Sequence, residues 1–372
     1  MKRKTIRICF LLQYLSIGGI ETRMLKLLRA IDCERFEPVL VCALDDGLQA
    51  EEFRALGFPI ITTRGLLPVN RAIQYSEVLS LLWQIRGRRF DLLVSFLPTS
   101  QPFEIALAKY AVKGRRFAFG LVTNQRMGRD KDWDTRASIA KRIIAVSKGA
   151  ADGIFPRREF HHKVRVIYNG VDTERFDKTR YRAERAAFGL PERAFLVCCV
   201  ARLAPQKRFD VLVDALAELK QRGVHIHCVI AGQDRLGGWL QNTLVERGLE
   251  EMVTYLGPSK DVPRLIGVCD AMVLTSDNEG CPNSVLEAMG SGVPVLVTAS
   301  GAEEFVIDGE TGYVVPTGDW MAVADRLAGM AQNREDCERL GRNARDWVLE
   351  HASIDSMLIR YFELFAELSR AT

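Results

Sequence analysis

Four short segments of this 372-residue chain hold the side chains whose types and spacing could do chemistry. The first, Glu279-Gly-Cys-Pro-Asn-Ser-Val-Leu-Glu287, brackets seven residues between two carboxylates and directly follows an apolar run, Ala271 to Leu274. From Ser284 it reads as a helix continuing through Met289. Ser284 and Glu287 have capping-box spacing, so Asn283 or Ser284 should open that helix. The unpaired N–H groups of a helix start suit a pyrophosphate. Glu287, one turn in, could accept hydrogen bonds from ribose hydroxyls, and Glu279 from a second sugar. Alone, the segment would equally suit a capped helix with two surface glutamates. The second segment, Ala201-Arg-Leu-Ala-Pro-Gln-Lys207, follows the run Phe195 to Val200. There Arg202 could grip a diphosphate as a fork and Lys207 as a point charge. The third, Ser16-Ile-Gly18-Gly19-Ile-Glu21, lets backbone approach a ligand ahead of another helix start. The fourth, Asp130-Lys-Asp132-Trp-Asp134, has the D-x-D spacing that can hold a divalent metal, but it reads as a charged loop, acceptor-side or solvated. No G-x-G-x-x-G fingerprint follows any strand. His161-His162 and the pair His225 and His227 lack a third partner and read as structural.

These residues need elements to position them, and the pattern supplies two series of β-branched runs alternating with amphipathic stretches. The first series is Ile6–Leu12, Pro38–Ala43, Pro59–Thr62, Asp91–Phe96, Phe117–Leu121, Arg142–Val146 and Val164–Ile167. Helical periodicity covers Glu21–Ile31, Ser76–Ile85 and Pro102–Ala111. The second series is Phe195–Val200, His227–Ala231, Val253–Leu256, Ala271–Leu274, Val293–Thr298 and Tyr313–Val315. Helical spacing follows over Val323–Met330, Cys337–Val348 and Met357–Leu368. The expected fold class is α/β, two tandem doubly wound, Rossmann-like domains facing a cleft. The expected boundaries are 1–171, a linker at 172–194, a second domain at 195–352, and a C-terminal helix at 353–372 crossing back to the first domain.

Composition is that of a globular chain, 48% hydrophobic and 26% charged, which excludes disordered, collagen-like and disulfide-scaffold classes. No run is long and apolar enough to span a membrane. The stretch Ile8 to Ile20 imitates a signal peptide, but Gln13, Tyr14 and Gly18-Gly19 interrupt it, and it reads as a buried strand. Nine cysteines without a C-x-x-C pair, five of them in apolar runs, suit a reduced cytoplasmic protein. Net charge is +4, yet residues 1–180 hold 32 Lys and Arg against 19 Asp and Glu, and the remainder 19 against 28. A face that basic attracts anionic lipid or phosphorylated substrates, unless it is balanced by the acidic half.

Together these segments resemble the retaining glycosyltransferases of the GT-B fold, specifically the E-x7-E group known as family four. The resemblance extends through Val146-Ser-Lys148, Ile167-Tyr-Asn169-Gly170-Val-Asp172, Ala231-Gly232, Leu256-Gly257, Gly292-Val-Pro294 and Glu304 with Asp308-Gly309-Glu-Thr-Gly312. It implies a nucleotide-sugar donor held by the second domain and an acceptor, a glycan or polyprenyl-phosphate-linked chain, held by the first. Arg202, Lys207 and Glu279 would be the catalytic set. Gly18, Gly19, Asn283, Ser284, Val285, Glu287 and Gly257 would bind the donor. Transfer would retain anomeric configuration by front-face attack, with no metal and no cofactor.

The chain departs from the family where relatives carry a first-domain His. Here the segment reads Val122-Thr-Asn124-Gln125-Arg126, whose side chains could contact the acceptor but not act as a base. The Gly often found after the diphosphate Lys is Arg208. The leading expectation is transfer of a sugar to a polysaccharide or lipid-linked precursor by a cytoplasmic protein peripheral to an anionic membrane. Alternatives are a catalytically silent subunit of a transferase complex and a GT-B epimerase or phosphorylase. Nucleic-acid binding lacks any aromatic-basic module.

Overall fold

The computed structural model describes residues 5–370 except 17–18, 68, 86–88, 98–101, 114–115, 122–130, 156–157, 182–184 and 260. The chain divides into two compact units, residues 1–168 with 357–372, and residues 169–356.

The first unit runs β1 (Ile6–Leu11), α1 (Gly19–Arg29), β2 (Phe36–Cys42), α2 (Ala50–Arg54), β3 (Ile60–Thr62), α3 (Arg71–Gln84), β4 (Leu92–Ser95), α4 (Pro102–Tyr110), β5 (Phe117–Leu121), α5 (Lys131–Ile139), β6 (Arg142–Ala145), α6 (Lys148–Ile154) and β7 (Val164–Val166). All seven strands pair in parallel in the order β3-β2-β1-β4-β5-β6-β7. Strands buried on both faces must be apolar throughout, which is why Ile8 to Leu11 and Leu92 to Val94 are continuous runs at 0% exposure. One face carries α3, α4 and α5, whose Val78, Leu81, Phe103, Leu107 and Ala137 pack with Leu11, Leu93 and Phe119. On the other, Tyr361 and Phe365 meet Phe10, Phe36 and Phe96 edge-on. A fully buried ion pair, Arg136 to Glu104 at 2.8 Å, ties α5 to α4 beneath the rings of Phe119 and Trp133.

The second unit runs β8 (Phe195–Val200), α7 (Phe209–Gln221), β9 (Ile226–Ala231), α8 (Trp239–Glu246), β10 (Val253–Gly257), α9 (Val262–Gly267), β11 (Ala271–Leu274), α10 (Asn283–Ser291), β12 (Val295–Thr298), β13 (Gly312–Val315), α11 (Trp320–Gln332) and α12 (Arg334–His351). Its six parallel strands take the order β10-β9-β8-β11-β12-β13. The last helix, α13 (Ile354–Arg370), has its residues from Met357 onward in the first unit. Residues 172–194 lie within the second unit, with Phe176 and Leu190 buried and Arg185 bonded to Asp270 at 2.9 Å.

This architecture is the expected pair of doubly wound α/β domains, and strand limits fall within two residues of the apolar runs. One local expectation is corrected. Asp132 and Asp134 are on α5, not in a loop, because Trp133 between them packs on the first core, its ring tilted against Phe119 at 5.8 Å. Burying that ring fixes the segment as helix despite its charge. The His227 ring bonds Thr254 at 2.8 Å and, chiefly by burial, is held below the usual histidine range.

Candidate functional site

In each sheet the strand order reverses once, between β1 and β4 and between β8 and β11. Crevices outside the strand ends at such a reversal are where open α/β sheets bind ligands. Arg202 and Lys207 follow β8 and Glu279 follows β11, so the second unit's charged candidates flank its reversal.

The loop after β8 is built against its neighbours by backbone. Ala201 donates to Ala231, and Leu203 donates to Gln233 and accepts from Arg235. At Gly232 a Cβ would sit 1.8 Å from the Ala201 carbonyl oxygen, so only glycine allows the two loops to approach this closely. Leu203 is buried while Arg202 stays exposed. A single 3-10 turn, Pro205–Lys207, then delivers Lys207, and Arg208 follows in the left-handed region at φ 47°, ψ 52°. Few non-glycine residues sit there without help. Arg208 is held by Asp210 (2.8 Å) and by Asp277 (2.9 Å), which explains why this chain dispenses with a glycine. Those bonds hold the Asp210 carboxyl below its usual range and raise the guanidinium further.

The loop after β11 is stitched to the same turn. The Thr275 hydroxyl donates to the carbonyls of Lys207 (3.1 Å) and Arg208 (3.0 Å), and the Asp277 N–H donates to Gln206 (2.9 Å). Glu279 is fixed by its own N–H, which donates to Ser300 after β12 at 2.7 Å. The result is the central contact, Lys207 Nζ to Glu279 Oε1 at 2.5 Å, with side chains only 16% and 10% exposed. Two residues 72 apart in sequence thus share one site. The thiol of Cys199, at the end of β8 below them, is pushed up to about 12 by burial.

The helix α10 begins at Asn283, with Pro282 as its N-cap and no capping side chain. The capping box expected from Ser284 and Glu287 is therefore not made. Ser284 is already inside the first turn, and a prolyl side chain has no acceptor. The helix start is left without a side-chain cap. The Asn283 side chain accepts from Asn169 at 2.7 Å. Val285 turns its side chain into the core and its N–H back to Pro282. Glu287 is half-buried one turn further on. Gly257, at the end of β10 with φ +67°, accepts from the Gly232 N–H at 2.8 Å and so joins the loop after β9, the one that Gly232 brings against the loop after β8. Gly19 opens α1 in the first unit. Gly18, Asn124, Gln125 and Arg126 lie outside the described residues.

Sequence reasoning missed Asn169, Asp277 and the hydroxyls of Ser276 and Ser300. Both hydroxyls are buried beyond β11 and β12 without a partner among the described residues. Asn169 stood in a recognised junction motif. The serines carry no signal beyond their place after a strand.

Two parallel-sheet units of seven and six strands with this topology define a protein of the GT-B type. Solved structures of the same fold include Anabaena Alr3699/HepE in complex with UDP and glucose, with TM-score 0.81 and 20% identity over 97% of this chain and 100% of that one. Another is a glycosyltransferase from Rickettsia africae ESF-5, with TM-score 0.86 and 17% identity over 99% and 100%. The family model for Glycosyltransferase Family 4 matches residues 17–175, and that for Glycosyl transferases group 1 matches residues 181–347. The chain belongs to the family-four glycosyltransferases. It is 33% identical, over 51% of its length and 47% of the relative's, to the putative colanic acid biosynthesis glycosyltransferase WcaL of Escherichia coli K12. It is 24% identical, over 92% and 91%, to the putative glycosyltransferase EpsF of Bacillus subtilis 168. In most of these matches the chain spans about half the length of the relative.

Proposed function

We propose that the protein is a retaining glycosyltransferase that moves a sugar from a nucleoside diphosphate sugar to a polysaccharide or lipid-linked glycan precursor. The observation that carries this reading is the Lys207–Glu279 contact, assembled at the reversal of the second sheet on a shared framework of loops. UDP bound to a protein of the same fold supports a nucleotide donor.

Each side chain then has a task. Arg202 and Lys207 neutralise the diphosphate together with the start of α10, doing the work for which a divalent metal would otherwise serve. Glu279 accepts hydrogen bonds from the donor sugar's hydroxyls, and Glu287 from the ribose. As the glycosidic bond breaks, negative charge grows on the leaving phosphate, and preorganised cations there lower the barrier. The acceptor hydroxyl attacks the same face and passes its proton to that phosphate, so no side-chain base is needed. The acceptor is a glycan or polyprenyl-phosphate-linked chain, and the protein works at the cytoplasmic face of an anionic membrane. Among the described residues no helix is long and apolar enough to cross one.

The test is a thermal-shift panel of UDP, GDP, ADP and their sugar conjugates with and without EDTA, followed by transfer assays on Glu279→Ala. One nucleotide series should raise the melting temperature regardless of EDTA, and the variant should lose at least about a hundredfold in rate. Unchanged turnover in Glu279→Ala would remove the assignment.

A further inference from the structure

Helix α3 presents an unusual outer face. Gln74, Val78 and Leu81 point into the core, while Tyr75, Leu79 and Trp83 are exposed by 52%, 67% and 81%. Their i, i+4, i+8 spacing places them in one stripe along the helix. Large apolar side chains are usually exposed singly, and a contiguous stripe marks a contact surface. Where α3 and α4 end, the chain brings them together. Phe90 pairs with Val112 in a parallel bridge, its N–H donating to Ala111 and its carbonyl accepting from Lys113. Trp83 lies in the last turn of α3, and Tyr110, 56% exposed, ends α4, the helix packed beside it.

The surrounding charge has one sign. From Arg64 to Arg116 the chain carries nine Lys and Arg against three Asp and Glu. Of those acids, Glu104 is fully buried against Arg136, Asp91 pairs with Lys113, and Glu77 accepts from Thr63. Arg71, Arg89, Lys109 and Lys113 are exposed. A second copy meeting this face through its own would bring like charges together. Aromatic and aliphatic side chains flanked by cations instead match the interfacial zone of a bilayer with negative headgroups.

We propose that the outer face of α3, with the adjoining ends of α3 and α4, docks on an anionic lipid surface through Tyr75, Leu79, Trp83 and Tyr110, flanked by Arg71, Arg89 and Lys109. This rests on the membrane side of the proposed function and names the surface responsible. The helix runs alongside the sheet, so a bilayer lying against the stripe leaves the carboxyl ends of the strands at one margin of the contact.

The test is sedimentation of the full chain with vesicles of equal parts phosphatidylglycerol and phosphatidylcholine, and with phosphatidylcholine alone. The wild type should bind the anionic vesicles, weaken as salt rises, and ignore the neutral ones. Leu79→Ser with Trp83→Ser, and separately Arg89→Glu with Lys109→Glu, should each cut binding about tenfold or more. Both should leave the melting temperature and the nucleotide shift of the wild type. Exposed positions make misfolding of both pairs an outcome against the placement of these side chains. Wild-type-like binding by either pair overturns the surface while leaving membrane association standing. No binding by the wild type overturns the membrane reading itself. A dimer that the Leu79/Trp83 pair breaks assigns the stripe to a second copy and overturns the proposal.

Discussion

Breaking the Lys207–Glu279 contact should have different consequences with and without nucleotide, and the structure sets their size. Removing one partner of a buried ion pair typically costs about 3–5 kcal/mol, because the remaining charge is left without a counterion. Here the side chains are 16% and 10% exposed, so water partly screens the orphan and about 2 kcal/mol is the expectation. In a unit of this size that lowers the melting temperature by about 4–8 °C for Lys207→Met or Glu279→Gln measured without ligand. The double variant should fall short of the sum by about 1–2 kcal/mol, since neither charge is then abandoned. On the proposed function, a bound diphosphate would replace the carboxylate as the lysine's partner. Lys207→Met should therefore weaken nucleotide binding by about ten- to a hundredfold, the loss of one charge-assisted hydrogen bond. Glu279→Gln should affect nucleoside diphosphate less than the sugar-bearing donor. Differential scanning fluorimetry gives the cycle, and isothermal titration gives the affinities. Additive single effects together with an unchanged nucleotide affinity in Lys207→Met would refute the reasoning.

Arg208→Gly relieves the left-handed backbone by about 1 kcal/mol but releases Asp210 and Asp277. The Arg208 hydrogen bond holds the Asp210 carboxyl below its usual range, so the wild type has that stabilisation at neutral pH and loses it as pH falls below about 4. Urea unfolding should show the difference between wild type and Arg208→Gly shifting in the variant's favour across that window. Gly232→Ala must push a methyl group into the Ala201 carbonyl, and a loss of about 2 kcal/mol or more in stability is expected, with donor affinity falling alongside because Arg202 is on the displaced loop.

The sequence made most of the fold legible for a physical reason: a parallel sheet covered on both faces demands apolar runs, and such runs as Phe195 to Val200 can be seen without knowing their neighbours. The same argument explains the failures. Trp133 is one aromatic among charges, and only its packing on Phe119, a partner from another element, makes the segment helical. The capping box at Ser284 failed because two residues at the right spacing do not say which residue precedes the first turn, and here it is a proline. Site residues divide along the same line. As candidates, Arg202, Lys207, Glu279 and Glu287 stood out because charge after an apolar run has few structural uses. The framework that aims them was not, since the hydroxyl of Thr275, the amide of Asp277 and the carbonyl of Ser300 act through geometry rather than type. Arg208 marks the boundary between the two. Its departure from glycine was visible in the sequence, but its compensation needs Asp210 two residues on and Asp277 sixty-nine residues on. Because the same guanidinium bonds Asp210 and Asp277 and so ties the two loops together, the departure gives Lys207 a stiffer setting than glycine would.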